Sequence, residues 1–415
     1  MPTRSLRRAS TLVLPLLLAA GPIAGCGIDE VDLARWKEVR EGQERLAGYL
    51  AAPERPLGLR VRAARYLFEI NAGGQIVVVL RAAPAEDRQA VLEPFLVHLG
   101  KQFSAGAPEE QGRAKDMLYA LLPLMGGVSP EFSDGVVKQF VEWAVVQLFA
   151  EQPPVGRPLD QVVIAAGLTR PAAAVEPLII ALIGEQDPAH VQRLSGLVDA
   201  IGDVPGRVKA ASALLAHARR ALPNPPEPLL QAIAANGNET LLRFLLDAAR
   251  DPEIPLPIRG QCVDLAVGRL GAAAIPGLEK ILEAEDPVTH NAMREPVLVQ
   301  LYRLRGPKKL TETLEALPDG AGWPDEGNAF REQIERFCAE AIAPQKAKAR
   351  KDLLASLGSP NATARIFAAH CVARLFPDEA RELLAPLKDD KTPLRGFGRE
   401  PAPTLGDLAR GKLGD

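Results

Sequence analysis

The 415-residue sequence holds only four Cys, five His, three Trp and four Tyr, and aromatic residues make up 5% of it. So few thiols and imidazoles exclude a disulfide-stapled or metal-dense scaffold. Neither charge is in useful excess, since 49 Lys and Arg face 52 Asp and Glu, and the net of -3 gives no general pull toward nucleic acid. Apolar residue is not scarce: the 47% hydrophobic content excludes disorder as the main state and is enough for a large core. Alternating β patterns are rare, and the one extended-looking stretch, Ile76 to Leu80, is short enough to be a buried helical turn instead. No HExxH, paired CxxC, P-loop, GxGxxG after a strand or GxSxG elbow occurs. His98, His190, His217, His290 and His370 are scattered without metal-ligand spacing. No metal, cofactor or enzymatic activity is expected.

What is present begins at the N-terminus. Arg4, Arg7 and Arg8 precede an apolar run over residues 11–24 broken by Pro15, Gly21 and Pro22, the layout of a signal peptide and too short to cross a bilayer as a helix. The segment Ile23-Ala24-Gly25-Cys26 resembles a bacterial lipobox: a branched aliphatic residue, two small residues that admit the backbone to a peptidase, then Cys. The resemblance implies that residues 1–25 are removed and that Cys26 is acylated, anchoring the chain in a lipid bilayer. Several acyl chains on one residue anchor firmly, at about 0.8 kcal/mol per buried CH₂. Gly27 stands where Asp would resemble an inner-membrane retention signal, so the expected location is the outer membrane, facing the periplasm, with inner membrane and cell surface as alternatives. Loss of the leader would change the net charge from -3 to -6.

Through the rest of the chain apolar residues recur at helical spacing, as in Leu118, Leu121, Leu122 and Met125, with breakers at Gly126-Gly127, Pro153-Pro154 and Pro223 to Pro228. Asp29 opens an expected helix through Leu33, Trp36 and Val39. A longer period lies above this. Asp251-Pro252 leads to Arg259, Asp286-Pro287 to Arg294, Asp325 to Arg331 and Ser359-Pro360 to Arg365, each Arg followed by apolar or small residues at +3 and +7; the four Arg are 35, 37 and 34 residues apart. Fainter copies lie at Asp187-Pro188 with Arg193 and at Leu59-Arg60. An Asp or Ser before Pro is a helix start, because its oxygen accepts free N–H groups and Pro forfeits no bond at the first position.

These residues resemble HEAT repeats, including the variant of phycobilisome-lyase-like proteins, well over 187–375 and loosely over 29–186. The expectation is an all-α chain, an α-solenoid of stacked antiparallel helical hairpins. Its divisions would be a leader (1–25), a lipidated tether (26–28), degenerate repeats (29–186), regular repeats (187–390) and a Gly/Pro-rich tail (391–415). The resemblance implies that Asp187, Asp251, Asp286 and Asp325 form ladders between repeats with Arg193, Arg259, Arg294, Arg331 and Arg365; Glu335, in an apolar slot, departs from the pattern. Cys338 and Cys371, 33 residues apart, fit either a disulfide between neighbouring hairpins or the small-residue stripe. The basic run Lys346, Lys348, Arg350 and Lys351 reads as a solvated helix face.

The function that follows is a protein-binding scaffold in the cell envelope, whose partner is another envelope protein or a peptide. The alternatives are lyase-like or chaperone-like handling of a ligand or cofactor on the concave face, and a purely structural envelope component. Oligomeric state is left open.

Overall fold

The computed structural model describes residues 28–284, 292–319, 329–394 and 402–411. The chain is all-α: no strand occurs among the described residues, and the only extended pairing there is an isolated bridge between Pro393 and Thr404. No described helix is long and apolar enough to cross a membrane. The described residues form two compact units, one drawn from residues 28–98 with Gly126–Val128, the other from Leu99–Met125 with the described residues from Ser129 onward.

In the first unit Asp29 starts the Glu30–Trp36 helix by accepting the N–H groups of Val31 and Asp32 at 2.8 and 3.0 Å, and Asp32 returns a bond to the Asp29 N–H. The helix stops at Trp36, earlier than the apolar spacing suggests, and Val39 is left largely exposed. Ile76 to Leu80 belongs to the helix Gly73–Ala82: Ile76 and Leu80 are buried, Val78 is 63% exposed, and the burial period is four residues rather than two. Arg60, almost wholly buried in Leu57–Glu69, holds the unit together. Its Nε donates to the Leu50 carbonyl at 3.0 Å and its two terminal nitrogens grip the Asp87 carboxylate at 2.5 and 2.6 Å.

In the second unit the helices Pro108–Leu121, Leu159–Thr169, Pro188–Ile201, Glu227–Asn236, Leu256–Leu270 and Arg294–Arg305 pack each on the next of this set. The helices between them, Pro130–Leu148, Pro171–Gly184, Val204–Ala221, Glu239–Arg250 and Ile275–Ala284, do the same, so that consecutive helices alternate between two rows. Core stripes run at i, i+3/i+4 and i+7, as in Val191, Leu194 and Val198.

Asp187 begins its helix as its sequence suggests, accepting from Ala189 and His190. The other two described starts differ. Asp251 closes the preceding helix and accepts the Glu253 N–H at 2.9 Å, and the next helix begins only at Leu256, after Pro255. This longer connection, in which Ile254 is buried, accounts for the eight residues between Asp251 and Arg259. Likewise Asn361, not Ser359, caps Ala362–Leu375, accepting the Ala364 N–H at 3.1 Å, while Ser359 donates to Glu315 at 2.7 Å. Pro360 precedes the cap instead of following it.

Cys338 and Cys371 form a disulfide with a Cα separation of 5.2 Å, tying the π-helical turn Phe337–Ile342 to Ala362–Leu375. Glu335 tolerates its position because Arg331 pairs with it at 2.8 Å and Arg374 approaches to 3.7 Å. In the basic run, Arg350 pairs with Glu379 and lies over the Phe376 ring at 5.0 Å, while Lys346, Lys348 and Lys351 face solvent. Beyond residue 390 the chain is drawn back: Arg365 bonds Asp390 and Thr392 at 3.1 and 2.8 Å, and Leu394 and Leu405 are buried.

The connection between Leu148 and Leu159 is latched onto Pro108–Leu121. Asp116 accepts the Arg157 N–H at 3.0 Å, the fully buried Lys115 donates to the Arg157 carbonyl, and the Arg157 guanidinium stacks 3.8 Å from the Tyr119 ring centroid. Gly156 makes the turn at φ +93°, and a Cβ there would overlap the Asp116 carboxylate. Gly156→Ala should therefore destabilise the protein by about 1–3 kcal/mol. The change should show as a lowered melting temperature together with faster amide exchange at Arg157; unaltered exchange would mean that the latch is dispensable.

Candidate binding groove

Among the described residues no group of three or more His, Cys, Asp or Glu is arranged to hold a metal. The surface feature that stands out lies between two neighbours of one row, Pro171–Gly184 and Val204–Ala221. Asp203 sets the start of the second helix by accepting the Gly206 N–H at 2.7 Å, and Gly206, with no Cβ, lets Val175 approach. Contact near both N-termini (Gly206 with Val175) and near both C-termini (His217 with Leu182) shows that the two helices run parallel.

Pro171–Gly184 carries a single charged residue, Glu176, and is apolar nearly all round. A helix of that composition is normally enclosed on every side. Here Ile180 and Ile183 are 64% and 59% exposed, and Val208 on the neighbouring helix is 54% exposed. Between the helices runs an open groove of about 390 Å³, floored by Ile179, Ala213 and Ala216 with Ile183 on one wall. Ser212 stands on the crest between it and a smaller groove against Glu239–Arg250. Lys209 and Arg220 flank the apolar floor.

At the C-terminal end His217 and Arg220 separate this groove from a second, more polar one of about 380 Å³ beside Glu185 and Pro226. His217 Nε2 lies 2.8 Å from the Leu182 carbonyl, which can only accept, and Nδ1 lies 3.0 Å from an Arg220 nitrogen, which can only donate. The ring is therefore an Nε2–H tautomer that fixes Arg220 at the mouth of the groove. Glu185 accepts the N–H groups of Asp187 and Gln186 and faces His190 at 3.3 Å; these bonds, the Asp187 N–H foremost, hold its carboxyl below the usual range. Elsewhere burial pushes the Cys262 thiol up to about 12 and the enclosed His370 down to about 4, the latter aided by Arg331 and opposed by Glu335. Cys371, next to His370, is spent in the disulfide and offers no thiolate.

Among the described residues, the Arg and Asp of the repeated pattern do not line this groove. Arg193 grips Asp160 at 3.1 Å and donates to the Leu148 carbonyl at 2.6 Å, and Asp187 caps its own helix. Arg259 donates through Nε to the Ala249 carbonyl at 2.7 Å. Arg207, outside the repeated Arg pattern, reaches the Asn236 carbonyl at 2.8 Å. In all four cases, counting Arg60 with Leu50, the acceptor is the last or penultimate residue of a helix. Such carbonyls have no intrahelical partner, and a cation there also meets the negative end of the helix dipole. Arg294 is fully buried with its guanidinium 5.8 Å from the Phe330 ring centroid, and Arg331 pairs with Glu335 within its own helix. Ile23, Ala24, Gly25, Cys26, Asp286, Asp325 and His290 lie outside the described residues.

A signal for the Arg60 and Arg259 clamps was present in the sequence: Pro53-Glu54-Arg55-Pro56-Leu57 and Pro252-Glu253-Ile254-Pro255-Leu256 precede them at the same spacing. Asp286 also follows Arg259 at the same 27-residue offset at which Asp87 follows Arg60.

No family model matches the chain. No curated protein matches it either. Among solved structures, a crystal structure of an engineered protein from a structural genomics consortium aligns over 93% of this chain and 98% of its own at 16% identity, with a TM-score of 0.26. A superposition that poor transfers neither fold nor function.

Proposed function

We propose that the protein is an envelope lipoprotein, held through acylated Cys26 at the outer membrane and facing the periplasm, whose helical hairpins stack as a HEAT-like α-solenoid that binds another envelope protein or a peptide. The observation that carries this reading is the two-row packing of consecutive helices combined with an apolar groove left open between neighbours of one row. Each helix pair that meets only its neighbours lengthens the surface without closing it, which suits adhesion by area and shape. The Cys338–Cys371 disulfide agrees with an oxidising compartment. Handling of a small ligand or cofactor would call for polar groups converging in an enclosed pocket, whereas both grooves at His217 are open.

Lipidation and location are tested together. Cells fed an alkyne analogue of palmitate should label the wild-type protein and leave Cys26→Ala unlabelled, and the variant should move from the membrane to the soluble fraction. Label on Cys26→Ala, or a membrane location independent of it, would refute the anchor. Proximity labelling with the anchored protein should return a restricted set of envelope proteins; a set indistinguishable from that of an unrelated lipoprotein would refute the scaffold.

A further inference from the structure

We propose that the groove between Pro171–Gly184 and Val204–Ala221 receives an amphipathic, acidic helix of a partner protein, with apolar side chains seated between Ile183 and Ala216 and carboxylates paired with Lys209 and Arg220. This deepens the scaffold reading and rests on it.

Three observations converge on that occupant. The first is apolar exposure: Ile180 and Ile183 project from a helix whose composition suits enclosure, and Ile183 forms a wall of the groove. Covering them releases water from apolar area that the fold itself leaves wet.

The second is charge. Neither Lys209 nor Arg220 meets a carboxylate within 4 Å among the described residues, although cations close by do: Lys138 pairs with Glu176 at 3.0 Å, Arg193 with Asp160 at 3.1 Å and Arg207 with Asp199 at 3.3 Å. Glu176, on the Pro171–Gly184 helix, and Glu185, just after it, are already engaged, the first by Lys138 and the second by the N–H groups of Asp187 and Gln186. Arg220 is also held in place by His217, so less of its freedom remains to be lost on pairing. An anionic partner is selected and a cationic one is repelled.

The third is shape. The groove is open along its length, so a lone acyl chain lying in it would stay half in water. A helix brings its own apolar stripe and a satisfied backbone, and needs only one face covered. Lys209 and Arg220 are eleven residues apart on one helix, a span of about 16 Å, or three turns. A partner helix lying along the groove would match them with acids three turns apart.

The test uses the intact chain with two synthetic amphipathic helices of about 16 residues. Both carry a Leu stripe, one with Glu and the other with Lys three turns apart beside it. The Glu peptide should bind about tenfold or more tightly than the Lys peptide. Lys209→Glu combined with Arg220→Glu should invert the preference, and Ile183→Asp should abolish binding of both. These positions are exposed, and circular dichroism should show unchanged folding. Equal binding of the two peptides, a preference that survives the charge reversal, or no binding of either would overturn the proposal. So would anionic phosphatidylglycerol vesicles bound in an Ile183-dependent way without peptide binding, or a dimer in sedimentation dissolved by Ile183→Asp, since these assign the groove to lipid or to a second copy. In cells, a photocrosslinker at Ser212 should join a protein partner only while Lys209 and Arg220 are intact. Partner crosslinks from exposed Leu256 but none from Ser212 would sink the groove and leave the scaffold standing; none from either would sink both.

Discussion

Arg60→Met should cost about 3 kcal/mol of stability, because it keeps most of the buried stem while leaving the Asp87 carboxylate and the Leu50 carbonyl without their donor. The Asp87 side chain is 19% exposed and the Arg60 side chain 4%, so water can replace the lost donors only in part. Denaturant unfolding should show the loss as a lower midpoint at unchanged slope. The pH dependence gives a second readout. The guanidinium bonds from Arg60 hold the Asp87 carboxyl below its usual range. A lowered folded-state pKa stabilises the fold fully above the unfolded value, near pH 4, and the contribution fades as pH falls through the lower folded value. In Arg60→Met that part of the acid destabilisation should be absent. The apolar pair Arg60→Met with Asp87→Leu should recover some of the loss, since it is the unmatched charge that is costly. A single variant as stable as wild type would show that the clamp contributes nothing net.

Replacing Cys338 and Cys371 together by Ala should cost about 3–4 kcal/mol, the chain-entropy figure for the loop their 33-residue separation closes. Wild-type protein unfolded in the presence of reductant should lose the same amount, and the double variant should not respond to reductant. In the folded protein Cys262 is buried and its thiol pushed up to about 12, so it supplies almost no thiolate for exchange. Unfolding exposes it, so the comparison is made in a Cys262→Ala background. Alkylation of protein recovered from the cell envelope should modify neither Cys338 nor Cys371 before reduction. Full modification of both without reductant would show that the bond is not made there, and would remove one support for an exported chain.

The helical class was legible because nearly every helix buries one stripe, and a stripe is written in the sequence as a period. Ile76 to Leu80 is the instructive case: five consecutive apolar residues carry no period, and only the burial of Ile76 and Leu80 against the exposure of Val78 resolves them. Helix starts were less legible. Asp187 caps its helix, yet the same Asp-Pro pair at 251 closes one, since an Asp can serve the turn before a helix as readily as the helix itself. The disulfide was undecidable because a buried small residue and a half-cystine occupy the same slot. The groove was hidden for a different reason. Its parts, Ile183, Lys209 and Arg220, mean nothing until two helices separated by Pro188–Ile201 lie side by side, and the excess apolarity of Pro171–Gly184 reads in sequence simply as core.

The arginine clamps bear on how such a chain can change over time. Arg60, Arg193, Arg207 and Arg259 all donate to main-chain oxygens, which every amino acid possesses. Substitution at Leu50, Leu148, Asn236 or Ala249 therefore cannot delete the acceptor. Inserting or removing one residue in the helix can, because each residue turns the chain by about 100° and moves the last carbonyl away from the guanidinium. Selection acting through these contacts counts residues and is indifferent to their names. Copies of the unit can then diverge widely in lettering while keeping their lengths, and a chain built this way can lose its resemblance to its relatives well before it loses its geometry.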